Sequence, residues 1–278
     1  MRRLAPLLLL LPLAVGCSSS SSDAIKIQPA KTYKLAGFQP VGPVTPGKPT
    51  TVSFTIDQPS GPALTAYRTG AGPHTGVHLI IVSDDLSTII HRHPPIQAGG
   101  RFAERVVFPK AGGYRVIVDA YPSNAGPLRN FTLFKDIRIT GRAKAQPLGT
   151  YKPVQHIDGF TFTAPKRPHV KAIQASLMTV HVTDSAGKPA RFVPWYGAVA
   201  HAIFIQKGTL DYFHTHVCAP NASGCTSLLS GTQVTGRSSS PGKLTIGILL
   251  PTAGTWRLFL QAKPNGHLVT VPYVINAR

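Results

Sequence analysis

The stretch His78-Leu-Ile-Ile-Val-Ser-Asp-Asp-Leu-Ser-Thr-Ile-Ile-His91-Arg-His93 aligns without a gap on His201-Ala-Ile-Phe-Ile-Gln-Lys-Gly-Thr-Leu-Asp-Tyr-Phe-His214-Thr-His216. Both read H-x12-H-x-H. Phe108-Pro-Lys-Ala-Gly-Gly-Tyr-Arg-Val-Ile-Val matches Leu250-Pro-Thr-Ala-Gly-Thr-Trp-Arg-Leu-Phe-Leu downstream, and Thr51-Val-Ser-Phe-Thr-Ile is echoed upstream by Met178-Thr-Val-His-Val-Thr. Three blocks matching in the same order point to a tandem repeat, and repeats are read before anything else because they decide the architecture. Each copy has roughly 120 residues, a usual size for one domain with its own core.

Within each copy the signals are those of strands. Short runs rich in Val, Ile, Phe and Thr, at 51–56, 78–82, 88–93, 114–120 and 131–139, are separated by Gly, Pro and Asn. Gly and Pro number 26 each, which punctuates the chain too often for helical periodicity to develop. Short strands at this spacing predict an all-β chain of two tandem β-sandwich domains. The expected boundaries are 30–141 and 149–278, with a linker at 141–148 where Arg142, Lys144 and Pro147 interrupt the apolar pattern. The second copy carries a Ser- and Gly-rich insertion at 218–241.

The histidines follow from the strands. If Ser83-Asp84-Asp85-Leu86 is a four-residue hairpin loop, Val82 pairs with Ser87 and His78 stands directly opposite His91, with Cβ atoms roughly 5 Å apart. His93 shares the face of His91, because strand side chains alternate with period two. The second copy, with loop Gln206-Lys207-Gly208-Thr209, repeats this arrangement with His201, His214 and His216. Three converging neutral imidazoles suit copper or zinc, so the expectation is two metal sets, one per copy, with His74 and His267 as further candidate ligands. The competing reading is a set of histidines kept for hydrogen bonding and packing. His156, His169 and His181 have no counterpart in the other copy and read as surface residues. A blue-copper site needs a cysteine beside two histidines, and the only methionine outside the leader is Met178, so zinc or type-2 copper is favoured over a soft copper site.

The block His78 to Pro94, followed by Phe-Pro-x-Ala-Gly-x-Tyr-Arg-Val, resembles a group of little-characterised bacterial secreted proteins and lipoproteins. The resemblance implies immunoglobulin-like or cupredoxin-like β-sandwich domains, an extracytoplasmic location and a suspected role in handling heavy metals. It covers 78–120 well and 201–262 more loosely, and the second copy departs from it at Val217, where the first has Pro94.

The N-terminus agrees with export. Met1-Arg2-Arg3 precedes an apolar run from Leu4 to Val15, shorter than the roughly 20 residues a spanning helix needs. Ala14-Val15-Gly16-Cys17 resembles a lipobox, departing from it at Ala14, so 1–16 is read as a signal peptide and 17–29 as a lipidated Cys17 with a serine-rich tether. Cys218 and Cys225 remain as a pair, for which an exported protein suggests a disulfide worth roughly 2–3 kcal/mol.

The formal charge of +19 comes with scattered basic residues and no nucleic-acid-recognition motif, which excludes nucleic acid and points to an anionic envelope polymer or a partner protein near the membrane. No Gly-x-Ser-x-Gly, His-Glu-x-x-His or phosphate loop is present, and acidic residues number only 10. The expectation is a non-enzymatic, membrane-anchored metal-binding module, with a surface interaction module as the alternative.

Overall fold

Apolar runs cut by Gly and Pro turns fold as strands almost throughout the described part of the chain. The computed structural model describes residues 32–278 apart from 70–71, 124–129, 223–227, 230–231, 234–235 and 239, so Cys17 and Cys225 lie outside the described residues. The first half contributes β1 (Lys34–Gln39), β2 (Pro49–Asp57), β3 (Val77–Ser83), β4 (Ile89–Arg92), β5 (Phe102–Val107), β6 (Gly112–Ala120) and β7 (Phe131–Ile139). The second contributes β8 (Val154–Ile157), β9 (Phe160–Thr163), β10 (Ser176–Thr183), β11 (Ala200–Gln206), β12 (Tyr212–Cys218), β13 (Leu228–Leu229), β14 (Thr232–Gln233), β15 (Gly236–Arg237), β16 (Lys243–Ile248), β17 (Gly254–Ala262) and β18 (Val269–Ala277). Among the described residues no helix is long and apolar enough to cross a membrane.

In the first half a sheet of order β1-β2-β5 faces one of order β4-β3-β6-β7. Between them lies a core that includes Val52, Phe54, Leu79, Ile81, Phe102 and Val116. In the second half β16-β10-β9-β8 faces β15-β12-β11-β17-β18 across Phe162, Val180, Phe204, Ile246 and Trp256, among others. This is the immunoglobulin-like arrangement, in which the chain crosses from one sheet to the other between β2 and β3 and returns between β4 and β5. The corner that marks such folds is present in both halves. Tyr114 at the start of β6 donates its hydroxyl to the Lys110 carbonyl at 3.0 Å, and Trp256 at the same place in β17 donates its indole N–H to the Thr252 carbonyl at 3.2 Å.

The feature that positions the site is a third core. Every residue of β3 and of β11 is buried. Side chains alternate, so Leu79 and Ile81 fill the first sandwich while Ile80 and Val82 point out of it. In the same way Ala202 and Phe204 fill the second while Ile203 and Ile205 point out. These outward faces pack on each other with Ile117, Phe259, Leu86 and Leu210 as one buried cluster. Residues 32–278 accordingly form one compact unit. The segment expected to be a linker is held to it, because Leu148 packs against this cluster and the Gln146 N–H donates to Asp85 at 2.8 Å.

Matching residues reach across in both directions. Arg115 donates to the Thr209 carbonyl in the opposite hairpin loop at 2.8 Å, and its counterpart Arg257 donates to the Leu86 carbonyl at 3.1 Å. The loop leucines sit in the left-handed region, Leu86 at φ 56° and Leu210 at φ 59°, where a non-glycine side chain is uncommon. Burial of both leucines in the shared core offsets that strain.

Truncation on the outward faces should therefore act on the joint between the sandwiches. Ile80→Ala and Ile203→Ala are each expected to lower stability by about 2–5 kcal/mol in chemical denaturation. Because both sit in one cluster, the double variant should lose less than the sum of the singles, and strict additivity in the cycle would contradict a shared core.

Candidate metal centre

The register of the hairpins sets the histidines. Val82 pairs with Ile89 and Ile80 with His91, so Ser83 meets Thr88 and the loop is Asp84 to Ser87. In the second half Ile205 pairs with Tyr212, Ile203 with His214 and His201 with His216. Both hairpins thus differ from the expected register by two residues: His78 stands beside His93 and not opposite His91, and His201 opposite His216 and not His214. In the first hairpin the loop side chains explain the shift. Asp85 accepts from Ser83 Oγ at 2.7 Å, Ser87 Oγ at 2.9 Å and Lys110 Nζ at 2.5 Å, which closes the turn one residue later than composition suggested. Partial burial raises the Asp85 carboxyl, but the Gln146 backbone N–H together with these donors holds it below its ordinary range. A shift of two preserves the face, so each set of three still points one way.

That face is the one buried between the sandwiches. His78 lies in line with Ile80 and Val82, and His201 with Ile203 and Ile205, so the two expected sets meet as one cluster. The ring centroids of His78 and His214 are 5.0 Å apart, and those of His91 and His201 are 4.9 Å apart. Three triads have ligand nitrogens within 4.8 Å of one another: His78–His91–His93, His78–His214–His216 and His91–His201–His214. Two of the three draw on both halves, and the expected set His201–His214–His216 is not among them. His74 joins at the edge, its ring centroid 4.7 Å from that of His216. His267 does not join: it is exposed, with its ring near Phe160. His156, His169 and His181 are exposed, and Met178 is buried in the core of the second sandwich.

Second partners fix the direction of three rings. His78 Nε2 donates to the Pro73 carbonyl at 2.5 Å and His201 Nε2 to the Trp195 carbonyl at 2.9 Å. His91 Nδ1 donates to Gln261 Oε1 at 3.0 Å, while the Gln261 amide donates to Thr270. A carbonyl oxygen can only accept, so each of these rings keeps a lone pair on its other nitrogen, aimed into the cluster. This carbonyl–histidine arrangement is the support that orients metal-ligating imidazoles. The inward nitrogens lie close: His78 Nδ1 to His214 Nδ1 3.2 Å, His201 Nδ1 to His214 Nε2 3.3 Å, and His91 Nε2 to His93 Nε2 3.1 Å. Nitrogens held about 2.0–2.1 Å from one tetrahedral ion would be about 3.3 Å apart, so the cluster already has the edge length of a coordination shell. His216 is fully buried, and neither of its nitrogens has a hydrogen-bond partner.

The electrostatics oppose protonation of the cluster. Burial pushes His78 down to about 4 and His201 to about 3, and burial with neighbouring imidazoles holds His91, His93, His214 and His216 well below the ordinary histidine value. Buried Asp119 adds a carboxylate 3.7 Å from His78 Nδ1, with Tyr121, Tyr212 and Asn130 donating to it. Burial raises it to about 6. The histidine spacing gives no sign of Asp119, although the repeat alignment sets it at the position of Gln261, the partner of His91. On the open side Tyr196 stacks on His93 with centroids 3.9 Å apart, and Trp195 meets His91 edge-on. Their loop touches the first sandwich at Gly197, where a Cβ would come 2.5 Å from the Gly72 carbonyl carbon.

Residues 155–278, the second sandwich, match the model of a domain of unknown function, DUF8832. No curated protein matches the chain. Among solved structures, the chain is similar to invasin, a bacterial integrin-binding protein, at 16% identity and TM-score 0.24, covering 88% of this chain and 38% of that one. The native α2-macroglobulin of Escherichia coli aligns at 13% identity and TM-score 0.28, covering 89% and 16%. A putative membrane-anchored protein from Corynebacterium diphtheriae aligns at 10% identity and TM-score 0.25, covering 88% and 57%. The chain spans less than two thirds of each, and likenesses at these TM-scores carry no functional argument.

Two outcomes follow. Unfolded histidines take up protons below about 6.5, whereas folded His78 and His201 refuse them until about 4 and 3. Metal-free protein should hold its full stability above pH 6.5 and lose it as the pH falls through about 4, and His78→Gln/His201→Gln should flatten that slope in denaturant titrations. Gly197→Ala should destabilise more than Gly187→Ala. Both glycines have φ 76°, but a Cβ at Gly187 meets nothing within 4 Å. Equal losses would show that the contact with Gly72 is immaterial.

Proposed function

We propose that this chain is a lipid-anchored, extracytoplasmic, non-catalytic metal-binding module that holds copper or zinc between its two sandwiches. The observation that carries the reading is the convergence of six neutral imidazoles from both halves on one buried space, with His216 lacking any partner for either nitrogen. A buried imidazole with neither nitrogen paired is costly, and a divalent ion removes that cost where a proton, opposed by burial, does not. The donors are all imidazoles, which suits zinc or type-2 copper better than the thiolate-rich sites of Cu(I). His93 and His214, the two rings of the six that are not fully buried, offer the route by which an ion enters.

In this reading Cys17 is diacylated and anchors the chain through its serine-rich tether, and a Cys218–Cys225 disulfide closes the insertion of the second half. The formal charge, +19 for the whole sequence and +17 once Arg2 and Arg3 leave with the signal peptide (19 − 2), supports a second, compatible role at the membrane surface, in which anionic envelope polymers or an acidic partner protein bind the basic exterior and release it with salt.

Equilibrium dialysis of the full chain against Cu²⁺ and Zn²⁺, with bound metal counted by mass spectrometry, tests the central point. Every triad contains His91 or His214, so His91→Ala/His214→Ala should abolish binding. The exposed triple variant His156→Ala/His169→Ala/His181→Ala should bind as the native chain does. No binding by the native protein, or unchanged binding by the double variant, would sink the metal reading.

A further inference from the structure

We propose that the cluster holds two divalent ions and that the His214 imidazole bridges them. This rests on the metal reading above and adds to it a number, a geometry and a spectroscopic signature. His78 and His201 each commit Nε2–H to a backbone carbonyl, Pro73 and Trp195 respectively, so each turns an Nδ1 lone pair inward. These lone pairs do not meet each other. They fall on opposite nitrogens of one ring, His78 Nδ1 lying 3.2 Å from His214 Nδ1 and His201 Nδ1 lying 3.3 Å from His214 Nε2. A neutral imidazole has a single N–H and can serve only one of the two, which leaves a lone pair facing a lone pair at the other. A doubly protonated ring would serve both, but the burial and crowding by imidazoles described above oppose that charge. An ion at each nitrogen satisfies both contacts.

The triads divide on the same ring. His78–His214–His216 and His91–His201–His214 share His214 and nothing else. On the Nδ1 side the donors are His78 Nδ1, His214 Nδ1 and a nitrogen of His216, whose two nitrogens are otherwise unpartnered. On the Nε2 side they are His201 Nδ1, His214 Nε2 and His91 Nε2, with His93 Nε2 only 3.1 Å from His91 Nε2 as a fourth. All six histidines are then used, three from each half, and each ion takes ligands from both. Two metal–nitrogen bonds of about 2.0 Å and the width of the ring set the ions roughly 6 Å apart. Charge balance is simple. The first ion takes a lone pair of neutral His214, and the second displaces the remaining N–H proton to solvent, giving a metal–imidazolate–metal unit with no change of oxidation state.

The experiment is a copper titration of the full chain followed by electron paramagnetic resonance and by bound-metal analysis. The signal should grow over the first equivalent of Cu²⁺ and shrink over the second to under half its maximum, as the two spins pair through the imidazolate. His214→Ala should bind copper with at least ten-fold weaker affinity for the second ion and show no loss of signal. Should that variant fail to fold, His216→Ala, which keeps the bridge residue and the Nε2-side donors, should stop at one equivalent with an undiminished signal. Two coppers with two unpaired signals, or saturation of the native chain at one equivalent, would overturn the bridge and leave the metal site standing. Absence of copper binding would instead overturn the reading on which the bridge rests.

Discussion

Everything in this structure depends on β3 and β11 being buried on both faces. A strand in an ordinary antiparallel sandwich turns one face to its core and the other to water, and its sequence alternates accordingly. Here the second face of each strand meets the second face of the other, and Ile80, Val82, Ile203 and Ile205 close a core that neither sandwich could complete alone. Histidines placed in line with those isoleucines have no access to bulk water and must find partners inside.

That constraint explains the chemistry of the cluster. In water an imidazole near neutral pH is satisfied by solvent and titrates freely; between two packed sheets it keeps only the partners the fold supplies. Three rings receive one carbonyl acceptor each, from Pro73, Trp195 and Gln261, and spend a single N–H on it. Their remaining lone pairs point at other imidazoles in a region where positive charge on the rings is suppressed by burial. The cluster is short of hydrogen-bond donors, and the same burial opposes supplying one by protonating a ring.

The joint is also nearly symmetrical. Arg115 and Arg257 exchange bonds with the opposite hairpin loops, and Leu86 and Leu210 adopt the same left-handed turn on either side. Such self-complementarity is what a two-fold dimer interface has, here realised within one chain. The symmetry breaks where Asp119 stands at the position of Gln261. Gln261 supports a histidine of the other half, whereas Asp119 gathers Tyr121, Tyr212 and Asn130 and places negative charge beside His78. The two ends of the cluster are therefore chemically unlike.

By itself the sequence determined the all-β class, the strand signals and the identity of the six histidines, because period-two placement and turn residues are local properties. It misplaced both hairpin registers by two residues; in the first, Asp85 and its donors, Lys110 among them, select the turn, and Lys110 lies 25 residues away. It separated the histidines into two sets because nothing in a single strand says what covers its outer face. One clue was present: Leu79 to Val82 and Ala202 to Ile205 are unbroken apolar runs, which is how a strand buried on both faces reads. What filled the second face, and so which nitrogens meet across it, is a long-range packing outcome that only the tertiary structure decided.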